Sequence, residues 1–186
     1  MTRLPRTLRL DPSDAVVFDR AAEPAEWAVP GGFAFWDEDP AALTGRRRQE
    51  FRAGFLGLGS FGWSTLVEVA EAAPAGRAAA VEALAARILA EHGAPGPEAA
   101  RAAAEEEIAF AESLCDGHPP GTVLAVARSV EEGAVRERFR TLHRRDGPPP
   151  DRARLPVFGV VEVEGEEEPA ERVDLSALDP RTGEGR

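Results

Sequence analysis

The chain has 186 residues, and its 33 acidic and 22 basic side chains give a formal net charge of −11 at neutral pH. A chain of this length buries enough surface to fold as one domain without a metal or a disulfide. Its composition, 43% hydrophobic and 30% charged, is typical of a globular protein rather than a disordered one. The single cysteine, Cys115, excludes an intrachain disulfide and a zinc site built from several thiolates. Every basic residue is arginine, so Schiff-base lysine chemistry and a Walker-type phosphate lysine are excluded as well.

The distribution of apolar and charged residues bears on partners and location. No apolar run approaches the roughly 18 residues of a membrane span, and no secretory signal is recognised at the N-terminus. We therefore expect a cytoplasmic protein without a membrane partner. Residues 136–154 hold seven arginines against three acids, whereas residues 162–186 hold nine acids against three arginines. The acidic tail compensates the basic stretch, and nucleic acid is therefore not an expected partner.

The first seventy residues predict short extended segments, one helix and one longer strand. Turn-forming proline and glycine, helix-capping residues and β-branched runs locate these elements. They are extended segments at 8–10 and 16–18, an aromatic strand at 33–36, a helix at 40–51 with Asp39 as N-cap, and a strand at 63–70.

Two longer helices, 75–92 and 97–116, follow with apolar residues at helical spacing. The short link between them makes the pair an antiparallel hairpin. The remaining predicted elements are a strand at 122–128, a short helix marked by Val135, Phe139 and Leu142, and a final strand at 155–164. Strands that do not alternate regularly with helices predict an α+β fold, with a mainly antiparallel sheet of about five or six strands and the helix hairpin packed on one face. The predicted domain spans residues 1–164, and residues 165–186 form an acidic, flexible tail.

The glycine-rich segment Gly57–Gly62 matches the G-x-G-x-x-G pattern. A dinucleotide-binding site needs a helix directly after these glycines, and a strand is predicted here instead. A kinase glycine loop lies between strands but acts with a lysine, which this chain lacks. A turn or bulge that redirects a strand is the favoured interpretation, and binding of an anionic group remains the alternative.

Aromatic residues are concentrated in one segment, with eight of the twelve between Trp27 and Trp63 together with seven of the eighteen glycines. They either fill the core beneath the alanine-rich helix hairpin or line a groove. If some are exposed, Trp36, Phe55 and Trp63 are the expected ones. The candidate residues for binding a partner or ligand are Trp27, Phe33, Trp36, Phe55, Gly57, Gly59, Phe61, Gly62 and Trp63.

Other groups that could carry chemistry form no complete set. Cys115 and His118 lie near Glu112, but a buried cysteine and a surface histidine are the favoured interpretation. The run Glu105–Glu107 lacks the Glu-x-x-His partners of a di-metal bundle and is interpreted as a solvated face. Neither a catalytic set nor a cofactor or metal site is predicted.

Three segments carry a resemblance to a known family: Arg6–Asp14, Ala21–Val29 and Gly54–Leu66. Together with Phe18 they resemble a domain-of-unknown-function family of small, chiefly alphaproteobacterial proteins, over residues 3–163. The resemblance brings no activity, cofactor or site residue. It implies a gene neighbourhood with accessory genes of molybdenum-dependent formate dehydrogenase and a lipoate/biotin-ligase-like protein, and hence a role in assembly or maturation.

Two functions are therefore expected from the sequence. The first is a non-enzymatic accessory or interaction protein that binds another protein through the aromatic and glycine-rich segment, in the maturation of a redox metalloenzyme. The alternative is a module that binds a small anionic molecule or cofactor at the glycine turn. An enzyme with dispersed catalytic residues and a homo-oligomer both stay open.

Overall fold

The computed structural model describes residues 2–142. They form seven strands, four α-helices and one 3₁₀ helix. In chain order these are β1 (Thr2–Leu8), α1 (Asp14–Val17), β2 (Ala28–Val29), the 3₁₀ helix (Gly32–Phe35), α2 (Gly45–Ala53), β3 (Phe55–Gly57), β4 (Trp63–Ser64), β5 (Leu66–Ala72), α3 (Pro74–Glu91), α4 (Pro97–Ser113), β6 (Val123–Glu131) and β7 (Ala134–Leu142). The strand expected at 155–164, the tail expected at 165–186 and the domain boundary between them lie outside the described residues.

The strands form two antiparallel sheets. The larger has the order β1-β5-β6-β7, and the smaller has the order β2-β3-β4. The α+β class is thus confirmed, but the expectation of a single sheet of five or six strands is wrong. Within residues 2–142, no helix is long and apolar enough to cross a membrane.

The division into two sheets occurs inside the segment predicted as one strand at 63–70. The buried Asp14 carboxylate accepts a 2.6 Å hydrogen bond from the Thr65 hydroxyl and further bonds from the Thr65 amide and the Ser64 hydroxyl. These bonds hold Thr65 between β4 and β5. The chain therefore leaves the small sheet at Ser64 and enters the large one at Leu66.

The helix hairpin α3–α4 forms as predicted, and its packing on one side of the sheets is consistent with the expected arrangement. Buried residues of both helices, among them Leu84 and Ile108, join Leu4, Val29 and Ala72 in one apolar cluster. A second cluster contains Phe55, Val67, Cys115 and Leu124. Alanines occupy several of the buried positions on both helices, among them Ala80, Ala85, Ala104 and Ala111.

Four predictions in the first part of the chain need correction. Residues 16–18, expected to be extended, largely belong to the one-turn helix α1, and the first strand ends at Leu8 rather than continuing to Leu10. Residues 33–36 are expected as an aromatic strand, but Phe33 to Phe35 belong to the 3₁₀ helix Gly32–Phe35 and Trp36 follows it, because Gly31 turns the chain with a φ of 76°. The helix predicted at 40–51 begins later, at Gly45 with Thr44 as its N-cap.

The helix expected around Val135, Phe139 and Leu142 is also wrong, because these residues lie in strand β7. β6 and β7 pair along their full lengths, from Val123 opposite Leu142 to Glu131 opposite Ala134. The two residues between the strands, Glu132 and Gly133, have φ values of 52° and 79°. Positive φ at both central residues is characteristic of a type I′ hairpin turn, which matches the twist of antiparallel strands.

Candidate partner-binding cleft

One large aromatic side chain, Trp36, is exposed beside a cleft. It follows the 3₁₀ helix and is 77% exposed. Two adjoining cavities of about 270 and 380 Å³ share Phe33, Trp36 and Glu107 in their walls. We call this pair of cavities the Trp36 cleft. Its other walls include His92, Phe110 and Glu137, so the cleft lies between the 3₁₀ helix, the helix hairpin and β7.

The 3₁₀ helix that precedes Trp36 is fixed by Arg47 on α2. The Arg47 guanidinium donates to the Ala34 carbonyl at 2.9 Å, to Glu38 and, at 3.0 Å, to Glu50. It also lies 4.0 Å from the centre of the Phe35 ring. Arg47 thereby links α2 to the Ala34 carbonyl before Trp36 and to the Glu38 carboxylate after it, so the indole projects from a segment that is held on both sides.

The opposite wall of the cleft depends on Arg128, whose side chain is 0% exposed. Its Nε donates to Glu137 at 2.5 Å, and its Nη1 donates to the carbonyls of Phe51 and Gly54 at 3.0 and 2.9 Å. Its Nη2 donates to the Pro30 carbonyl. Burial lowers the pKa of Arg128, and the nearby carboxylate of Glu137 opposes that change. The guanidinium therefore joins β6, β7, the end of α2 and the residue before the Gly31 turn.

Glu107 is the carboxylate that lies in both cavities without a partner. Among residues 2–142 it forms no hydrogen bond or ion pair, although Glu137 and Arg128 both influence it. Burial is the main cause that raises the pKa of Glu107 to about 7, and repulsion from Glu137 adds to the increase. The expectation of a fully solvated acidic face is therefore wrong for Glu107, whereas Glu106 beside it is exposed.

His92 closes the far end of the cleft. Its ring meets Phe33 edge to face with the centroids 5.2 Å apart. Partial burial lowers the pKa of His92, and the positive charge of Arg87 lowers it further. The histidine thus contributes an uncharged wall near neutral pH rather than a positive one.

The nine residues predicted for binding are not brought together at one surface. Phe33 and Trp36 line the cleft, whereas Phe55 and Trp63 are 0% and 5% exposed. The expectation that these last two rings are exposed is wrong, because Trp63 packs against Phe35, and Phe55 belongs to the second apolar cluster. The half-buried Trp27 and Phe61 pack against the first cluster, and Phe61 lies under the Arg87 guanidinium.

The predicted glycines Gly57, Gly59 and Gly62 form a turn that is already occupied by a carboxylate of the chain. Glu26 Oε2 accepts the amide N–H groups of Gly59 and Ser60 at 2.6 and 2.7 Å. A Cβ at Gly62 would collide with the backbone of Ala21. The glycines therefore serve close packing, and two amides that an external anion would need donate to Glu26.

Cys115 and His118 do not form a reactive pair. Cys115 is buried as predicted, and burial raises the pKa of its thiol to about 12. No group of three or more His, Cys, Asp or Glu side chains in the described part of the chain could hold a metal ion. His143 and most of the basic stretch 136–154 lie outside it.

Sequence reasoning missed Glu107, Arg128 and Glu137. One signal was present for Arg128, because it continues the alternate buried positions Leu124 and Val126 of β6. A charged residue at such a position requires buried partners. Glu137 was assigned to the wrong element, and nothing in the run Glu105–Glu107 distinguishes its third member.

A family model described as "Family of unknown function (DUF6505)" matches residues 1–151. No curated protein and no solved structure matches the chain.

Proposed function

The chain belongs to this family of unknown function, and we propose that it is a non-enzymatic interaction protein that binds another protein at the Trp36 cleft. The observation that carries the proposal is the 77% exposure of Trp36 beside a cavity walled by Phe33 and Phe110. Tryptophan is enriched among the residues that dominate binding energy at protein interfaces. A large exposed ring on a fixed support is typical of such an anchor.

The support of the ring favours binding further. Arg47 holds the backbone around Trp36, and Arg128 holds the opposite wall. Binding to a preorganised surface loses less conformational entropy than binding to a mobile loop. The partner would therefore bind a surface that is held on one side by the half-buried Arg47 and on the other by the buried Arg128.

The test is affinity capture with the full-length chain, followed by quantitative mass spectrometry and reconstitution with the purified partner. Trp36→Ala is compared with Leu10→Ala, since Leu10 is 72% exposed and does not line the cleft. We expect Trp36→Ala to weaken the reconstituted complex by about 2 kcal/mol or more and Leu10→Ala to leave it intact. Unchanged affinity in a natively folded Trp36→Ala protein would refute the proposal.

Two finer expectations have different support. A role in the maturation of a redox metalloenzyme follows from the family resemblance and is tested by the identity of the captured partner. The alternative, an anion-binding module at the glycine turn, gains no support there because Glu26 accepts the amides of Gly59 and Ser60.

A further inference from the structure

We infer that the Trp36 cleft receives an arginine side chain of the partner protein, stacked on Trp36 and paired with Glu107. This inference rests on the proposed function and adds the chemistry of the group that is bound. Two observations carry it: the exposed indole and the unpaired carboxyl groups of the cleft walls.

The exposed indole matches the chemistry of a guanidinium. A planar guanidinium stacks on aromatic rings, and tryptophan is the best aromatic partner for a cation. The protein uses this contact twice elsewhere, with Arg47 4.0 Å from the Phe35 centroid and Arg87 4.8 Å from the Phe61 centroid. Within residues 2–142 no arginine occupies the equivalent place over Trp36, so its ring face is available to an incoming cation.

Two carboxyl groups of the cleft walls have no ion-pair partner among residues 2–142. They are Glu106 and Glu107; Glu137 also lines the cavities but pairs with Arg128, and no arginine of the described residues lines them. Arg128 pairs with Glu137 and is enclosed by backbone carbonyls, so it leaves Glu107 without a hydrogen bond. A bidentate guanidinium would give that carboxylate the partner it lacks. The apolar walls formed by Phe33 and Phe110 suit the methylene stem of the same side chain.

The acidic residues 162–186 of the chain do not suit this cleft. They carry nine acids against three arginines, and like charges brought together at an interface oppose binding. Residues 143–154 hold four arginines against two acids and are the competing occupant. We assign the arginine to a separate protein, and substitution of the chain's own arginines tests that assignment.

The test follows the indole N–H signals of the full-length chain by nuclear magnetic resonance. The three tryptophans give three such signals, and a Trp36→Phe variant identifies that of Trp36. The probe is a glycine pentapeptide with arginine at its centre. Its control carries citrulline, which keeps the shape of arginine without the charge. Glu107→Gln removes the proposed carboxylate, and Glu71→Gln removes an exposed one on β5, away from the cleft.

We expect the arginine peptide to shift the Trp36 signal and the citrulline peptide to bind at least about fivefold more weakly. Glu107→Gln should weaken the arginine peptide by a similar factor, and Glu71→Gln should leave it unchanged. Equal shifts with both peptides, or an unchanged affinity in Glu107→Gln, would overturn the inference. Displacement of the Trp36 signal without peptide, by an Arg144→Gln/Arg145→Gln or an Arg152→Gln/Arg154→Gln substitution, would also overturn it, because the cleft would then hold the chain's own arginines.

The two proposals fail in different ways. If partner capture depends on Trp36 while both peptides bind alike, the interaction function stands and the arginine chemistry is wrong. If the arginine peptide binds as expected while Trp36→Ala retains the protein partner, the ligand chemistry stands and the proposed function is wrong.

Discussion

Replacing Glu107 by glutamine should stabilise the protein above neutral pH and leave its stability almost unchanged in acid. Glutamine has the shape of the protonated carboxyl group but does not ionise. The pKa of Glu107 is raised from an ordinary 4.5 to about 7, chiefly by burial. In the folded protein the carboxyl therefore keeps its proton over a pH range in which the unfolded chain has lost it.

This difference fixes the sign of the effect. Between about pH 4.5 and 7 the folded state binds more protons at Glu107 than the unfolded state does, so this residue lowers the free energy of unfolding as pH rises. The stability that the protonated Glu107 contributes is fully lost above its folded-state pKa. The two pKa values correspond to a loss on the order of 3 kcal/mol, and Glu107→Gln removes that loss.

The assay is urea unfolding of the wild type and Glu107→Gln, followed by tryptophan fluorescence at about pH 5 and pH 8. We expect the free energy of unfolding of the variant to exceed that of the wild type by about 1–3 kcal/mol at pH 8 and by much less at pH 5. Glu71→Gln is the matched control, since Glu71 is exposed, and its difference from wild type should stay within about 0.5 kcal/mol at both values. A Glu107→Gln difference that is the same at both pH values would refute the argument.

Three further outcomes are expected. Arg128→Met should lower the free energy of unfolding by about 3 kcal/mol or more, because it leaves Glu137 and three backbone carbonyls without their hydrogen-bond donor. A loss below about 1 kcal/mol in denaturant unfolding would contradict this role. Glu26→Ala should lower it by about 2 kcal/mol and speed hydrogen exchange at the Gly59 and Ser60 amides, whereas unchanged exchange would show that these amides do not depend on Glu26. Cys115 should not react with a thiol reagent in the native protein and should react after unfolding, since burial raises the pKa of its thiol to about 12. Rapid labelling under native conditions would show that the thiol is not buried.

The sequence predicts the helix hairpin well because several local signals agree there. Each helix has proline in its first turn, apolar residues at helical spacing and, at its end, a change to residues that do not continue the pattern. The strand β7 is mispredicted because Val135, Phe139 and Leu142 stand four and three residues apart, which is the spacing of one helix face. In the strand, Val135 and Phe139 share one face and Leu142 lies on the other. The better signal is the Glu132-Gly133 pair between two β-rich runs, since both residues adopt positive φ in a tight hairpin.

The site is less predictable than the fold because it depends on contacts between distant segments. Composition locates the aromatic segment, but only the packing shows that Trp36 is exposed while Trp63 is enclosed by Phe35 and the surrounding core. Likewise, Glu107 differs from Glu106 only through what α4 faces in three dimensions. An acidic run gives no sequence signal for which of its members is shielded from water.

The enclosed Arg128 also has a mechanical consequence. Its guanidinium donates hydrogen bonds to Glu137 and to the carbonyls of Pro30, Phe51 and Gly54. None of these neighbouring segments can therefore move by itself without breaking a hydrogen bond to Arg128. Opening that wall of the cavity would break several bonds to a single cation at once. Such an opening would be cooperative and rare. The cleft would therefore keep nearly the same shape whether or not a partner side chain is bound.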